Sequence, residues 1–179
     1  MTPAAYRAKL EIEVIKGTST IDVPDPIQSF SDAPWEASLQ ASILKAGYSN
    51  PSPIQSQCWP IALAGADCIA VAKTGSGKTV GFLLPLFKHI IDTVGKKMAP
   101  GAGPVGCIVA PTRELAIQIA EESDKFGKAS GFASCCVYGG VPKGPQMYAV
   151  MRGVHVIIAT PGRMNDFLTM KSFKTVRER

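Results

Sequence analysis

Histidine and charge are both scarce in this chain. His89 and His155 are the only two histidines in 179 residues, far apart and without ligand-like spacing. The five cysteines, Cys58, Cys68, Cys107, Cys135 and Cys136, are odd in number and show no C-x-x-C pattern. A metal held by protein ligands alone and a disulfide framework are both disfavoured, and reduced core thiols are expected. Cys68, Cys107, Cys135 and Cys136 fall in runs that read as strands. Charged residues make up 18% of the chain against 46% hydrophobic, the balance of an α/β domain whose parallel strands are buried on both faces. No apolar run approaches membrane-spanning length, and the opening MTPAAYRAKLEIEV lacks the apolar centre of a signal peptide. The expectation is a soluble intracellular protein, nuclear or cytoplasmic, with no membrane partner. A net charge of +5 suits a polyanionic partner, or simply solubility.

What the chain does have is a glycine-rich loop, Ala72-Lys73-Thr74-Gly75-Ser76-Gly77-Lys78-Thr79. The run before it, Cys68-Ile69-Ala70-Val71, is apolar and β-branched enough for a buried strand. Val80 to Ile91 after it is long and apolar enough for a helix. Such a turn points successive backbone N–H groups at one spot on the positive end of a helix dipole, where a di- or triphosphate binds. Lys78 would reach the outer phosphates, and the Thr79 hydroxyl would ligate Mg²⁺. The usual pattern has Gly at the first position, where this chain has Ala72.

The rest of the chain alternates. Residues 1–29 are polar and Pro-containing and read as an extended lead-in. Ser31 or Asp32 would cap a helix from about Pro34 to Ala46, and Pro51 and Pro53 would enforce an extended turn before Ile54-Gln55. Strands are expected at 69–72, 105–110, 134–138 and 154–159, each followed by a helix, with helices near 114–126, 146–151 and 163–168. Strand–helix alternation implies βαβ units and a mostly parallel sheet. Ligands collect at the carboxyl ends of such strands. The segments expected there are the 72–79 loop, Pro111-Thr112-Arg113-Glu114, Gly139-Gly140 and Thr160-Pro161-Gly162-Arg163. Arg113 and Arg163 are cationic forks suited to phosphodiester oxygens, or exposed cations on solvated loops. Glu114 would contact the ligand, orient Arg113 or cap its helix. Several such junctions beside a nucleotide loop suggest a nucleic-acid backbone as a second ligand.

In this order the segments resemble the first RecA-like domain of the DEAD-box RNA helicases. Residues 47–55 (GYSNPSPIQ) resemble that family's adenine-recognising Q motif, and Phe30 stands 17 positions before Gly47, where the family keeps an isolated aromatic. Residues 72–79 resemble motif I, PTREL (111–115) motif Ia, Gly139-Gly140 the glycine doublet and TPGR (160–163) motif Ib. The stretch VYGGVPKGPQ (137–146), with Tyr6-Arg7 and the Pro-rich lead-in to Phe30, resembles one nuclear-type subfamily more closely. The resemblance implies a RecA-like P-loop NTPase fold covering 30–179, incomplete at its C-terminal end, with ATP and Mg²⁺ as cofactors and RNA as partner. It places Phe30, Tyr48, Pro53 and Gln55 around adenine; the Gln55 amide would read N6 and N7, and Phe30 would stack on the base or serve as a core residue. It puts Thr74, Gly75, Ser76, Gly77, Lys78 and Thr79 on the phosphates, with Lys78 and Thr79 serving catalysis. Pro111, Thr112, Arg113, Glu114, Gly139, Gly140, Thr160, Pro161, Gly162 and Arg163 would hold single-stranded RNA by its backbone.

The family also carries an acidic pair at the end of an apolar strand beyond motif Ib. One Asp holds Mg²⁺ through water and a Glu positions the attacking water. After Arg163 this sequence offers only Asp166 and Glu178, neither following an apolar strand, and Lys174–Arg179 (KTVRER) does not lead into one. The expectation is a polypeptide that binds ATP and RNA without hydrolysing, or a regulatory ATP- and RNA-binding piece. A further expectation is an open sheet edge at Val154–Ile158, and hence poor solubility.

Overall fold

The computed structural model describes residues 1–17 and 22–170. These form two compact units, Met1–His89 and Ile90–Arg179.

The first unit is helical. Its helices are α1 (Pro3–Lys9), α2 (Ala37–Lys45), α3 (Pro53–Leu63) and the start of α4 (Lys78–Val94), with a 3₁₀ turn at Phe30–Asp32. The expected extended lead-in thus opens on a helix. Thr2 caps it by accepting from Ala5 N–H, and Pro3 takes the first helical position, where a missing N–H costs nothing. Asp32 accepts from Ser29 N–H and closes the 3₁₀ turn; α2 starts later than expected, after Glu36.

Ser52 is extended, as expected of a turn at Pro51 and Pro53, and α3 begins directly after it. Pro53 sits at the favourable first position, while Pro60 lies inside the helix and has no N–H for the carbonyl of Ser56. That carbonyl instead accepts from Ile27 N–H at 2.9 Å. The lead-in is pinned to the same helix by Tyr6 Oη, 3.1 Å from Ser56 Oγ, and by Arg7 Nε, which donates to Gln57 Oε1 at 2.8 Å. Trp59, fully buried, packs edge-on against Trp35 with ring centroids 5.1 Å apart and donates to the Val80 carbonyl.

The strand expected at 69–72 does not form. Residues 66–73 form no strand or helix and pair with no strand among the described residues; Ile69 is 97% exposed and Val71 90%. β-branched residues favour strands, but a strand exists only with a neighbour to complete its ladder.

The second unit carries the sheet. Strands β1 (Gly106–Val109), β2 (Ser134–Val137) and β3 (Val156–Ala159) run parallel in the order β1-β3-β2, joined through α5 (Arg113–Gly127) and α6 (Lys143–Met151), with α7 (Pro161–Thr169) following β3. All four β3 residues are buried, and Ile157 and Ala159 pack with Val137, Val150, Val154 and Phe167. The open edge expected at Val154–Ile158 is therefore the centre of the sheet, because β1 and β2 pair on either side of β3. The cysteines are less buried than expected: Cys68 and Cys107 are exposed, and Cys58, Cys135 and Cys136 are half-buried. They lie on segments with one open face, not in the core.

Candidate functional site

In the first unit, the 72–79 loop feeds directly into α4. Gly75 (φ 75°) and Gly77 (φ 81°) are left-handed, a conformation that costs any residue with a Cβ about 1–2 kcal/mol. The first N–H groups of α4, at Lys78, Thr79 and Val80, have no acceptor one turn back, so the helix opens on free donors and the positive end of its dipole. Lys78 Nζ curls over the loop and donates to the carbonyls of Ala72 and Lys73, 2.6 Å from each. Ser76 Oγ is buried without a partner. The Cβ direction of Gly75 is open, whereas a Cβ on Gly77 would run into the Gln55 amide.

Gln55, 1% exposed, accounts for that crowding. Its Oε1 accepts from Ser52 N–H at 3.0 Å, and its Nε2 donates to the Gly77 carbonyl at 3.1 Å. The amide expected to face a base is thus turned inward, joining the first turn of α3 to the glycine loop. A buried amide needs partners at both ends, and these are the ones within reach. Phe30 lies half-buried between Tyr48 (centroids 6.5 Å) and Trp59 (5.6 Å), while Pro53 is exposed. Phe30, Tyr48, Pro53, Gln55 and the loop all belong to this unit.

In the second unit the register decides the geometry. Val109, Ala159 and Val137 stand side by side, so three parallel strands end level and their junctions leave the sheet together. These are 110–113 after β1, 138–142 after β2 and 160–161 after β3. Thr112 caps α5 by accepting from Leu115 N–H, and Pro161 takes the first position of α7. Pro111, Thr112, Arg113, Glu114, Gly139, Gly140, Pro161 and Gly162 are exposed, and Thr160 is partly so. The structure therefore brings the three expected segments to one sheet end. The 72–79 loop is not a junction of this sheet, since no strand precedes it.

Arg163 departs from expectation. It is 6% exposed, and its guanidinium points inward: Nη1 donates to Gln146 Oε1 at 2.9 Å and Nη2 to the Val141 carbonyl at 2.8 Å. Its Nε lies 3.7 Å from Asp166 Oδ2, which also pairs with Lys143 at 2.9 Å. With both terminal nitrogens bonded inside the protein and Nε buried without a hydrogen-bond partner, this side chain braces the loop rather than offering a fork to solvent. Arg113 stays exposed, with its guanidinium carbon 4.6 Å from the centre of the Tyr138 ring.

Sequence reasoning missed Gln146. Its Oε1 also accepts from Tyr138 N–H and its Nε2 donates to the Tyr138 carbonyl, both at 3.2 Å. Nothing local to GPQMY marks that bracket, which joins residues eight positions apart across a loop.

Comparison with known proteins agrees with this architecture. The sequence pattern of the DEAD/DEAH box helicases matches residues 52–178. The chain is 50% identical over 167 residues to "DEAD-box ATP-dependent RNA helicase 40" of Oryza sativa subsp. japonica, covering 93% of this chain and 20% of that protein. It is 48% identical over 163 residues to "ATP-dependent RNA helicase DBP2" of Mycosarcoma maydis, covering 91% of this chain and 28% of that one. Among solved structures, the RNA helicase Prp28 from Chaetomium thermophilum bound to ADP is similar, with a TM-score of 0.77 at 37% identity, over 87% of this chain and 37% of that one. A DEAD box protein from Methanococcus jannaschii gives a TM-score of 0.72 at 28% identity, over 83% of this chain and 39% of its own. The chain thus spans a fifth to a third of these curated relatives' length. By sequence and fold alike it belongs to the DEAD/DEAH box helicase family.

Proposed function

We propose that this chain is the ATP- and RNA-binding portion of an ATP-dependent RNA helicase that remodels RNA duplexes inside the cell. The observation that carries the reading is the glycine loop: two left-handed glycines deliver the chain to the free N–H groups of α4, with Lys78 and Thr79 on the first turn. These residues fit a magnesium-bound nucleoside triphosphate. The free N–H groups and the unpartnered Ser76 hydroxyl suit phosphate oxygens, Lys78 can exchange two carbonyls for phosphate, and the Thr79 hydroxyl suits Mg²⁺. When bound, MgATP supplies the γ-phosphoryl group that water attacks. Gln55 reads adenine by trading its Ser52 and Gly77 partners for N6 and N7, which links base recognition to the loop. Phe30, Tyr48 and Pro53 flank the base. Thr112, Arg113, Gly139, Gly140 and Thr160-Pro161-Gly162 contact the sugar–phosphate backbone of single-stranded RNA, binding that is sequence-independent and salt-sensitive.

Displacement of a fluorescent ATP analogue tests the nucleotide reading. ATP should compete at least tenfold better than GTP, Lys78→Ala should lose tenfold or more, and Gln55→Ala should level ATP with GTP. Equal competition by GTP in the unaltered chain overturns it.

A second reading concerns turnover. Among the described residues no acidic pair follows β1, β2 or β3, and Asp166 sits on α7 paired with Lys143. We infer that this polypeptide binds ATP and RNA without hydrolysis, serving by itself at most as a non-catalytic or regulatory piece. RNA-stimulated phosphate release should stay at background; a rate abolished by Lys78→Ala overturns the inference.

A further inference from the structure

We propose that Gln146 is the positioning residue that assembles the three strand-end junctions into one grip for a single-stranded RNA backbone. The proposal rests on the RNA reading above and deepens it. Three bonds meet at this side chain. It accepts from Tyr138 N–H and from Arg163 Nη1, and donates to the Tyr138 carbonyl. The Tyr138 backbone is where β2 ends and Gly139-Gly140 begins, so both its polar groups are held as in one further step of ladder. Holding that backbone also aims the Tyr138 ring, and Arg113 from the β1 junction lies over the ring's face. Through Arg163 the same amide reaches the first turn of α7, while Arg163 itself ties down the Val141 carbonyl on the far side of the glycines. A Cβ placed on Gly140 (φ 83°) would lie 4.0 Å from Arg113 Nη1, so the cation stands beside the doublet.

One amide therefore sets the relative position of Arg113, the glycine doublet and the TPGR turn, although Gln146 itself is half-buried and spends its bonds on Tyr138 and Arg163. A flexible polyanion is bound well only by donors already placed at its phosphate spacing, because every loop ordered on binding lowers affinity. Arg163, read from sequence as a phosphate ligand, becomes under this proposal a brace within the same device.

The test uses the 179-residue chain and a fluorescein-labelled oligo-uridine. Gln146→Met keeps length and volume but removes all three bonds. RNA affinity should fall about tenfold or more with a shallower salt slope, while ATP affinity stays within twofold. Combined with Arg113→Ala, the losses should be strongly non-additive, which a general loss of stability would not produce. If Gln146→Met does not melt cooperatively, Tyr138→Leu takes its place, since it removes the ring under Arg113 and leaves the backbone bonds available. A severalfold loss of RNA affinity there supports the proposal. Unaltered affinity in the folded variant tested, or full additivity with Arg113→Ala, overturns it while leaving the RNA reading intact. Failure of the unaltered chain to bind oligo-uridine overturns both.

Discussion

Glycine shows what a single residue contributes here, and two glycines of one loop should respond differently to the same change. Gly75 and Gly77 both have positive φ, so alanine strains the backbone at either by about 1–2 kcal/mol. At Gly75 the added methyl meets open space; at Gly77 it meets the Gln55 amide, which must give up its bond to the Gly77 carbonyl. Gly77→Ala should therefore cost at least 1 kcal/mol more than Gly75→Ala in urea unfolding, and should also weaken ATP binding the more; equal losses would show that Gln55 is not the constraint. The glycines themselves were legible in the sequence, because a loop motif is local. The inward Gln55 amide and Arg163 guanidinium were not, since Gly77 and Val141 each lie 22 positions from them and only folding brings them near. His155 is a second residue-scale case. It is buried, accepts from Ala133 N–H at Nδ1 and stacks edge-on with Phe132. Burial holds its pKa below the ordinary 6.5. The unfolded chain then takes up the proton first. Stability should be full above pH 6.5 and decline as pH falls from there through the lowered folded value, by at most about 1.4 kcal/mol per pH unit. Urea melts at pH 7.5, 6.5 and 5.5 should show that decline, and His155→Phe should flatten it.

Among the elements, α3 best separates what periodicity can reveal from what it cannot. Pro51 and Pro53 signal only the turn before Ile54-Gln55, yet Pro53 also starts a helix, and Pro60 inside it is offset by Ile27 N–H. A long-range donor is invisible to a local pattern. By contrast α5, β1, β2 and β3 fell within a few residues of expectation, because their apolar periodicity and caps are local. The pairing of the lead-in with α3 makes a measurable claim about residues outside the motifs. Arg7 donates to Gln57 Oε1 and, at 2.9 Å, to the Pro24 carbonyl, to which Gln57 Nε2 also donates. Two partly buried bonds from a charged donor contribute on the order of 1–2 kcal/mol after solvent competition. Arg7→Ala should lower the stability of the first unit by about that amount while leaving the second unit's hydrogen-exchange protection unchanged. A loss below about 0.3 kcal/mol would mean the lead-in merely rests on α3.

For the whole molecule, the question is where apolar surface goes unmatched. The resemblance to a larger sheet points to the apolar run Val154–Ile158 as an open edge. Hydrophobicity identifies a sticky run, but pairing decides which run finds a neighbour, and pairing is non-local. In the folded chain β3 has neighbours on both sides, while Ile69 and Val71 stand in solvent on a backbone with no ladder partner among the described residues. An exposed apolar segment that belongs to no ladder is a site for association with another chain. Concentrating the protein should therefore produce dimers and larger species, and Ile69→Lys with Val71→Lys should raise several-fold the concentration at which light scattering after size exclusion still reports a monomer. Both side chains already face water, so the double change should leave unfolding cooperativity intact. Ile158→Lys provides the opposite case: it buries a charge in the central strand and should abolish the second unit's cooperative melt. If the double variant associates as readily as the unaltered chain, the sticky surface lies elsewhere, and the half-open β1 face at Cys107 and Val109 becomes the segment to charge next.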